Sequence, residues 1–135
     1  MKLTIDFETR SACDIRKHGA WVYAENPTTQ ALCLAYKPEG GAPRIWKRGD
    51  STADLFWEMG RASVIEAHNA GFEYAIWTYV CQHRYGWPAF PAEKLRCSAA
   101  KAAMHALPRS LEEAGRALGL PIQKDMEGHR LMLKM

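Results

Sequence analysis

Asp6 and Glu8, in the opening "MKLTIDFETR", are two carboxylates one residue apart. Side chains on a strand alternate between faces, so the two acids project from one side while Phe7 points to the other. Two negative charges this close repel unless a cation or a proton lies between them. Carboxylate oxygens are hard ligands, so a cation such as Mg²⁺ or Mn²⁺ suits them rather than a soft metal. A lone D-x-E is common, and by itself it also describes a turn-starting acid beside a solvated one.

A second acid enters through "EAHNAGFEYAIW". A short apolar strand ends there and a helix begins, with Asn69 as the expected N-cap and Glu73 four residues later on the same helical face. Two roles stay open for Glu73: a first-turn acid favoured by the helix dipole, or a third carboxylate aimed back at the strand end that carries Asp6 and Glu8. His68 is the one histidine near this cluster and is kept as an outer-shell possibility. The four cysteines, Cys13, Cys33, Cys81 and Cys97, show no metal-site spacing and are expected to be buried and reduced.

The elements that must position these acids can be read from period and punctuation. Residues 2–8 alternate as a strand with Leu3, Ile5 and Phe7 on one side. Residues 11–26 carry helical signals interrupted at Gly19. Residues 31–37 form a second strand and 44–48 a third, joined by the turn "PEGGAP". A helix over 51–60 has Ser51 as its expected cap, a short strand covers 64–68, and an amphipathic helix runs over 71–85. Residues 95–97 suit one more strand, followed by an alanine-rich helix. Ser110 and Glu113 then form a capping box, and a turn is expected at 125–128 before a short basic, apolar tail. Trp57 and Trp77 fall on helical stripes and are expected in the core, whereas Trp46 and Trp87 remain candidates for stacking on bases.

An antiparallel three-strand meander followed by strands alternating with helices gives an α/β fold with a mixed sheet. The 135 residues fit one domain, and the net charge of +3, from 18 Lys and Arg against 15 Asp and Glu, permits a polyanionic partner without demanding one. No apolar run is long enough to span a membrane and no signal peptide opens the chain, so a cytoplasmic location is expected. No glycine-rich phosphate loop or G-x-S-x-G occurs, which leaves nucleotide-cofactor and serine-hydrolase classes without support.

"DFET" followed by "HNAGFE" resembles the first two motifs of the DEDD, or DnaQ-like, 3′-5′ exonucleases. Together with "LPRSLEEAGRALGL" and "KDMEGHRLM" the chain most resembles the proofreading domain of phage-type family A DNA polymerases. The resemblance implies an RNase H-like fold over residues 1–135, read as the N-terminal portion of a larger polymerase and incomplete at its C-terminus. It implies two Mg²⁺ or Mn²⁺ ions, which in two-metal sites clamp the attacking and leaving oxygens of a phosphodiester. Asp6, Glu8 and Glu73 would hold the ions, with Glu73 standing where the family has the shorter Asp. Thr9 matches the position beside the terminal nucleotide, Asn69 and Phe72 match positions of the second motif, and the resemblance implies that all three bind substrate. The implied partners are a single-stranded DNA 3′ end and the remainder of a polymerase chain.

The family's third motif, in which Tyr or His precedes an Asp by four or five residues, is absent. Asp125 is the only Asp after Asp54 and lacks that neighbour. The chain is therefore either a fragment or a protein that has lost the activity, and weak or absent cleavage is expected of it alone. An exoribonuclease of the same superfamily and a non-catalytic nucleic-acid-binding module are the alternatives.

Overall fold

A computed structural model describes residues 1–132, except for the side chains of Met126, His129 and Met132. Two compact units divide the chain, Met1–Cys97 and Ser98–Met135.

The first unit is built on β1 (Lys2–Arg10), with β2 (Gln30–Pro38) and β3 (Arg44–Lys47) on one side and β4 (Val64–Ala67) and β5 (Leu95–Cys97) on the other. The sheet order is β3-β2-β1-β4-β5. The β1–β2 and β2–β3 pairs are antiparallel, and β1–β4 and β4–β5 are parallel. The mixed five-stranded sheet with flanking helices is consistent with the expected RNase H-like fold. Alternation on β1 is strict: Leu3, Ile5 and Phe7 are buried, while Thr4, Asp6 and Glu8 are exposed.

Helices α1 (Ile15–Glu25), α2 (Ala53–Arg61) and α3 (Ala70–Ile76) belong to this unit. Gly19 breaks α1 with φ 79° and ψ 171°, a conformation that costs a residue without a Cβ little. Beyond α3 the same rod continues as a π-helical stretch, Trp77–Gln82, and a last turn, α4 (His83–Tyr85). Its predicted stripe is inward: Ile76 and Val80 are buried, Phe72 and Tyr79 half-buried. Trp77 anchors an aromatic core, 4.7 Å from Trp87 and 5.3 Å from Phe90 between ring centres, and its indole N–H donates to Pro88 O at 2.7 Å. Such a donor is kept in a core when it finds an acceptor, as here.

Several expectations change. Trp57 is 66% exposed, so its helical stripe is not a core stripe, whereas Trp46 and Trp87 are buried and closed to bases. The two rings meet edge-on at 4.8 Å. Thr52, not Ser51, holds the cap position of α2, though Ser51 Oγ still accepts from Ala53 N. Cys81 alone of the four thiols is buried; Cys13, Cys33 and Cys97 are half-buried, and none of the four is in a disulfide.

The second unit carries α5 (Ser98–Met104), α6 (Leu111–Ala117) and α7 (Met126–Met132). Ser110 Oγ accepts from Glu113 N at 3.1 Å, the expected cap of α6. The expected turn at 125–128 is instead the start of α7, because Asp125 Oδ1 accepts from Gly128 N at 2.9 Å and nucleates a helical turn. The end of the expected tail, residues 133–135, lies outside the described residues. No helix among the described residues is long and apolar enough to cross a membrane.

The one-sided burial of β1 gives a direct check. Ile5→Ala should cost about 2–5 kcal/mol by removing buried methyl groups. Thr4→Ala, one residue away on the exposed face, should stay within about 0.5 kcal/mol. Urea denaturation of both variants measures the contrast.

Candidate functional site

Beyond Thr4, β1 runs without a strand on its β4 side. The parallel pairing stops at Thr4 opposite Glu66, whereas on the β2 side it continues to Arg10 opposite Gln30. The backbone N–H of Phe7 is filled from α3: Glu73 Oε1 accepts it at 3.1 Å. An unpaired buried N–H is costly, so this bond has a structural role whatever else the carboxylate does.

Glu73 is thereby held between the positions of Asp6 and Glu8 and is only 2% exposed. Burial is the main reason its carboxyl is pushed up from the usual range to about 8, and repulsion from Asp6 and Glu8 adds to it, against the lowering pull of the Phe7 N–H. Its second oxygen, Oε2, is buried without a hydrogen-bond partner. Cys33, opposite Glu8 on β2, feels the same field: its thiol is raised by burial and then by Glu8 and Asp6. The three acids are thus brought into one electrostatic neighbourhood, two from an exposed strand face and one from a buried helix turn.

Two of the three substrate-contact candidates, Thr9 and Phe72, meet at a residue that sequence reasoning missed, Tyr23 of α1. Thr9 Oγ1 and Tyr23 OH are 2.7 Å apart, and the Tyr23 ring faces Phe72 at 6.0 Å. Thr29, fully buried, donates to Tyr23 O and pins the end of α1. The register shifts between Glu8 and Thr9, an irregularity that re-aims the strand end, where Thr9 pairs with Ala31. The aromatic residue in "AWVYAEN" after the Gly19 break was the available signal, but only tertiary packing selects Tyr23 over Trp21.

Asn69 holds the N-cap position of α3, yet its side chain makes no capping bond. Its backbone is left-handed, φ 66° and ψ 54°, and the side chain is exposed. The first helical N–H, from Ala70, goes instead to Cys97 Sγ at 3.4 Å. A left-handed non-glycine residue is strained, though Asn tolerates it best, and here it marks the turn from β4 into α3. His68, just before it, is half-buried.

Hard carboxylate oxygens and an orphaned buried acceptor suit a divalent cation in kind. Among the described residues, however, no three His, Cys, Asp or Glu side chains are gathered closely enough to hold a metal ion. Asp125 belongs to the second unit, where it caps α7.

No protein-family model matches the chain. Over 134 residues it is 33% identical to a DNA polymerase of Bacillus phage SP02, an alignment covering 96% of this chain and 20% of that protein. The chain thus spans about a fifth of the length of the relative it matches.

The buried carboxyl makes stability depend on pH. With its pKa raised in the folded state, Glu73 supports folding fully below about pH 4.5 and loses that support as pH rises through about 8. The loss should reach up to about 4–5 kcal/mol. Glu73→Gln keeps an acceptor for Phe7 N and removes the charge, so its urea midpoint should vary less between pH 5 and 9 and exceed that of the unaltered protein at pH 9 in the absence of divalent ions.

Proposed function

We propose that the chain is the 3′-5′ exonuclease portion of a DNA polymerase, acting on single-stranded DNA ends with Mg²⁺ or Mn²⁺. The observation that carries the reading is the buried Glu73 carboxylate, fixed on Phe7 N between Asp6 and Glu8 with one oxygen unpartnered. Similarity to a DNA polymerase along 96% of the chain supports the polymerase context.

In this reading Asp6, Glu8 and Glu73 would hold the divalent ions, whose chemistry would be to lower the pKa of a water and offset charge on the departing oxygen. Glu73 contributes first through Oε2, the oxygen without a hydrogen bond, and it must release its proton for a cation to be held. Thr9, anchored by Tyr23, offers a fixed hydroxyl at the strand end. Phe72, braced by the same ring, gives the terminal sugar or base an apolar wall. Asn69, exposed at the α3 entry, offers an amide to the same nucleotide. A residue that orients the attacking water belongs to the missing third motif, so cleavage by these residues alone is slow or nil.

Calorimetric titration with Mn²⁺ tests the centre apart from turnover. Binding is expected, with about 2.7 kcal/mol of stabilisation at a hundredfold excess over Kd. Both should vanish in Asp6→Ala. If the unaltered chain takes up no Mn²⁺, the nuclease reading fails and a non-catalytic binding module replaces it; parallel DNA and RNA ends labelled at the 3′ terminus separate the deoxyribonuclease from the exoribonuclease.

A further inference from the structure

Two aromatic side chains of α1 flank the carboxylate turn of α3. Tyr23 is buried against Phe72, one residue before Glu73. Trp21 stands edge-on to Tyr74, one residue after it, at 5.9 Å, and to Tyr79 at 5.5 Å. Tyr79 in turn stands edge-on to His83 at 5.5 Å. Trp21, Tyr79 and His83 therefore form a row of rings along the junction of α1 with the long helical rod.

Trp21 is 48% exposed in a chain that buries Trp46, Trp77 and Trp87. Its contacts to two tyrosines, at interplanar angles of 76° and 86°, hold the indole in place while half of it faces solvent. Past His83 the row opens on a shallow depression of about 460 Å³ lined by Glu25, Pro27, Tyr79, His83 and Arg84. Arg84 Nη1 donates to Pro27 O at 3.1 Å, which fixes the guanidinium at the rim. Arg16 and Lys17 lie exposed on the first half of α1, with Asp14 3.9 Å from Arg16, and Glu25 is the acid that lines the depression beside Arg84.

Fixed ring faces interleaved with cations are what a single nucleic-acid strand requires: bases stack on any aromatic face, and phosphates meet Arg and Lys. A second protein copy fits less well. A stable interface needs on the order of 800 Å² from each partner, and the large exposed apolar side chains of this stretch of α1 are one indole and the neighbouring Val22.

We infer that the Trp21–Tyr79–His83 row is a stacking track for the bases of a single strand, upstream of its 3′ end, with Arg84 taking a phosphate. The inference rests on the nuclease reading of Asp6, Glu8 and Glu73, and adds to it the surface that guides the strand toward them. Helix α1 then serves twice, with Tyr23 bracing the terminal nucleotide's contacts and Trp21 holding bases farther back.

Trp57 is the other strongly exposed tryptophan, so a Trp57→Phe background isolates the emission of Trp21 from it. The probes are a ten-residue oligothymidylate and dithymidylate, with Ca²⁺ replacing Mn²⁺ to hold back cleavage. The ten-mer should quench this background, and the quench should disappear on adding Trp21→Phe, which removes the indole reporter. Trp21→Leu, which keeps apolar packing on the tyrosines, should raise the ten-mer Kd about 10- to 100-fold and change the dinucleotide Kd less than twofold. Unchanged ten-mer affinity in Trp21→Leu, with dinucleotide binding intact, overturns the track and leaves the carboxylate centre standing. Equal losses for both probes overturn it too, since they place Trp21 at the centre or in the core. If neither probe binds the unaltered chain, the nuclease reading and the track fall together. A change in sedimentation of Trp21→Leu without any change in nucleic-acid affinity assigns the face to a second copy and overturns the inference.

Discussion

One backbone hydrogen bond organises the region around the acids. β1 is paired from Leu3 to Arg10 by β2 but only to Thr4 by β4, which leaves the Phe7 N–H on an open edge. Glu73 closes that edge from the first turn of α3. For it to do so, β4 must end early, α3 must begin at once, and the link between them must turn tightly. The left-handed backbone at Asn69 supplies the turn, and Cys97, arriving on β5, receives the first helical N–H in place of a capping side chain.

That arrangement carries a cost at every contributor. A carboxylate is buried with one oxygen unsatisfied, two further acids sit beside it, and a non-glycine residue holds a positive φ. Structural need alone does not account for all of this, because a serine or amide could accept one N–H without burying a charge. Local rules are broken together at functional positions more often than at random ones, and the broken rules here converge on a few residues. Elsewhere in the first unit Glu58 of α2 is also buried with its Oε2 lacking a hydrogen-bond partner, though paired with Arg44 and Arg61, and the core around Trp77 is aromatic rings packed edge-on.

Much of this fold could be read from the chain, and the failures have a common cause. Alternation in "KLTIDFE" gave both the buried face and the shared side of Asp6 and Glu8; Gly19 marked the break in α1, and Ser110 with Glu113 marked the start of α6. These signals are local. Asn69 holds the expected cap position of α3 without a side-chain capping bond, because the acceptor of the first helical N–H lies on a strand nearly thirty residues away, where no local pattern points to it. Trp57 sits on a helical stripe that no neighbour covers, while Trp46 and Trp87 are buried mainly by each other and by aromatic residues from other elements. Tyr23 was missed because it matters through Thr9 and Phe72, each from a different element. Asp125 read as a turn residue because an acid three residues before a glycine serves a turn and a helix start alike.

The length of the Glu73 side chain bears on what the centre can do. The resembled family has Asp at this position, one methylene shorter. The longer chain lets α3 stand back from the strand and still reach Phe7 N, but that reach commits Oε1 to the backbone. Oε2 is the oxygen left without a hydrogen bond, so it is the one most open to a ligand. The strand acids are differently placed: both are exposed, and their positions on one face are fixed by β1 itself. A cation held here would therefore rest mainly on Asp6 and Glu8, with Glu73 adding one oxygen from the side and giving up a proton to do so. The balance between those two states of Glu73, protonated against the sheet edge or ionised toward a cation, is set by the same burial that keeps β1 and α3 together.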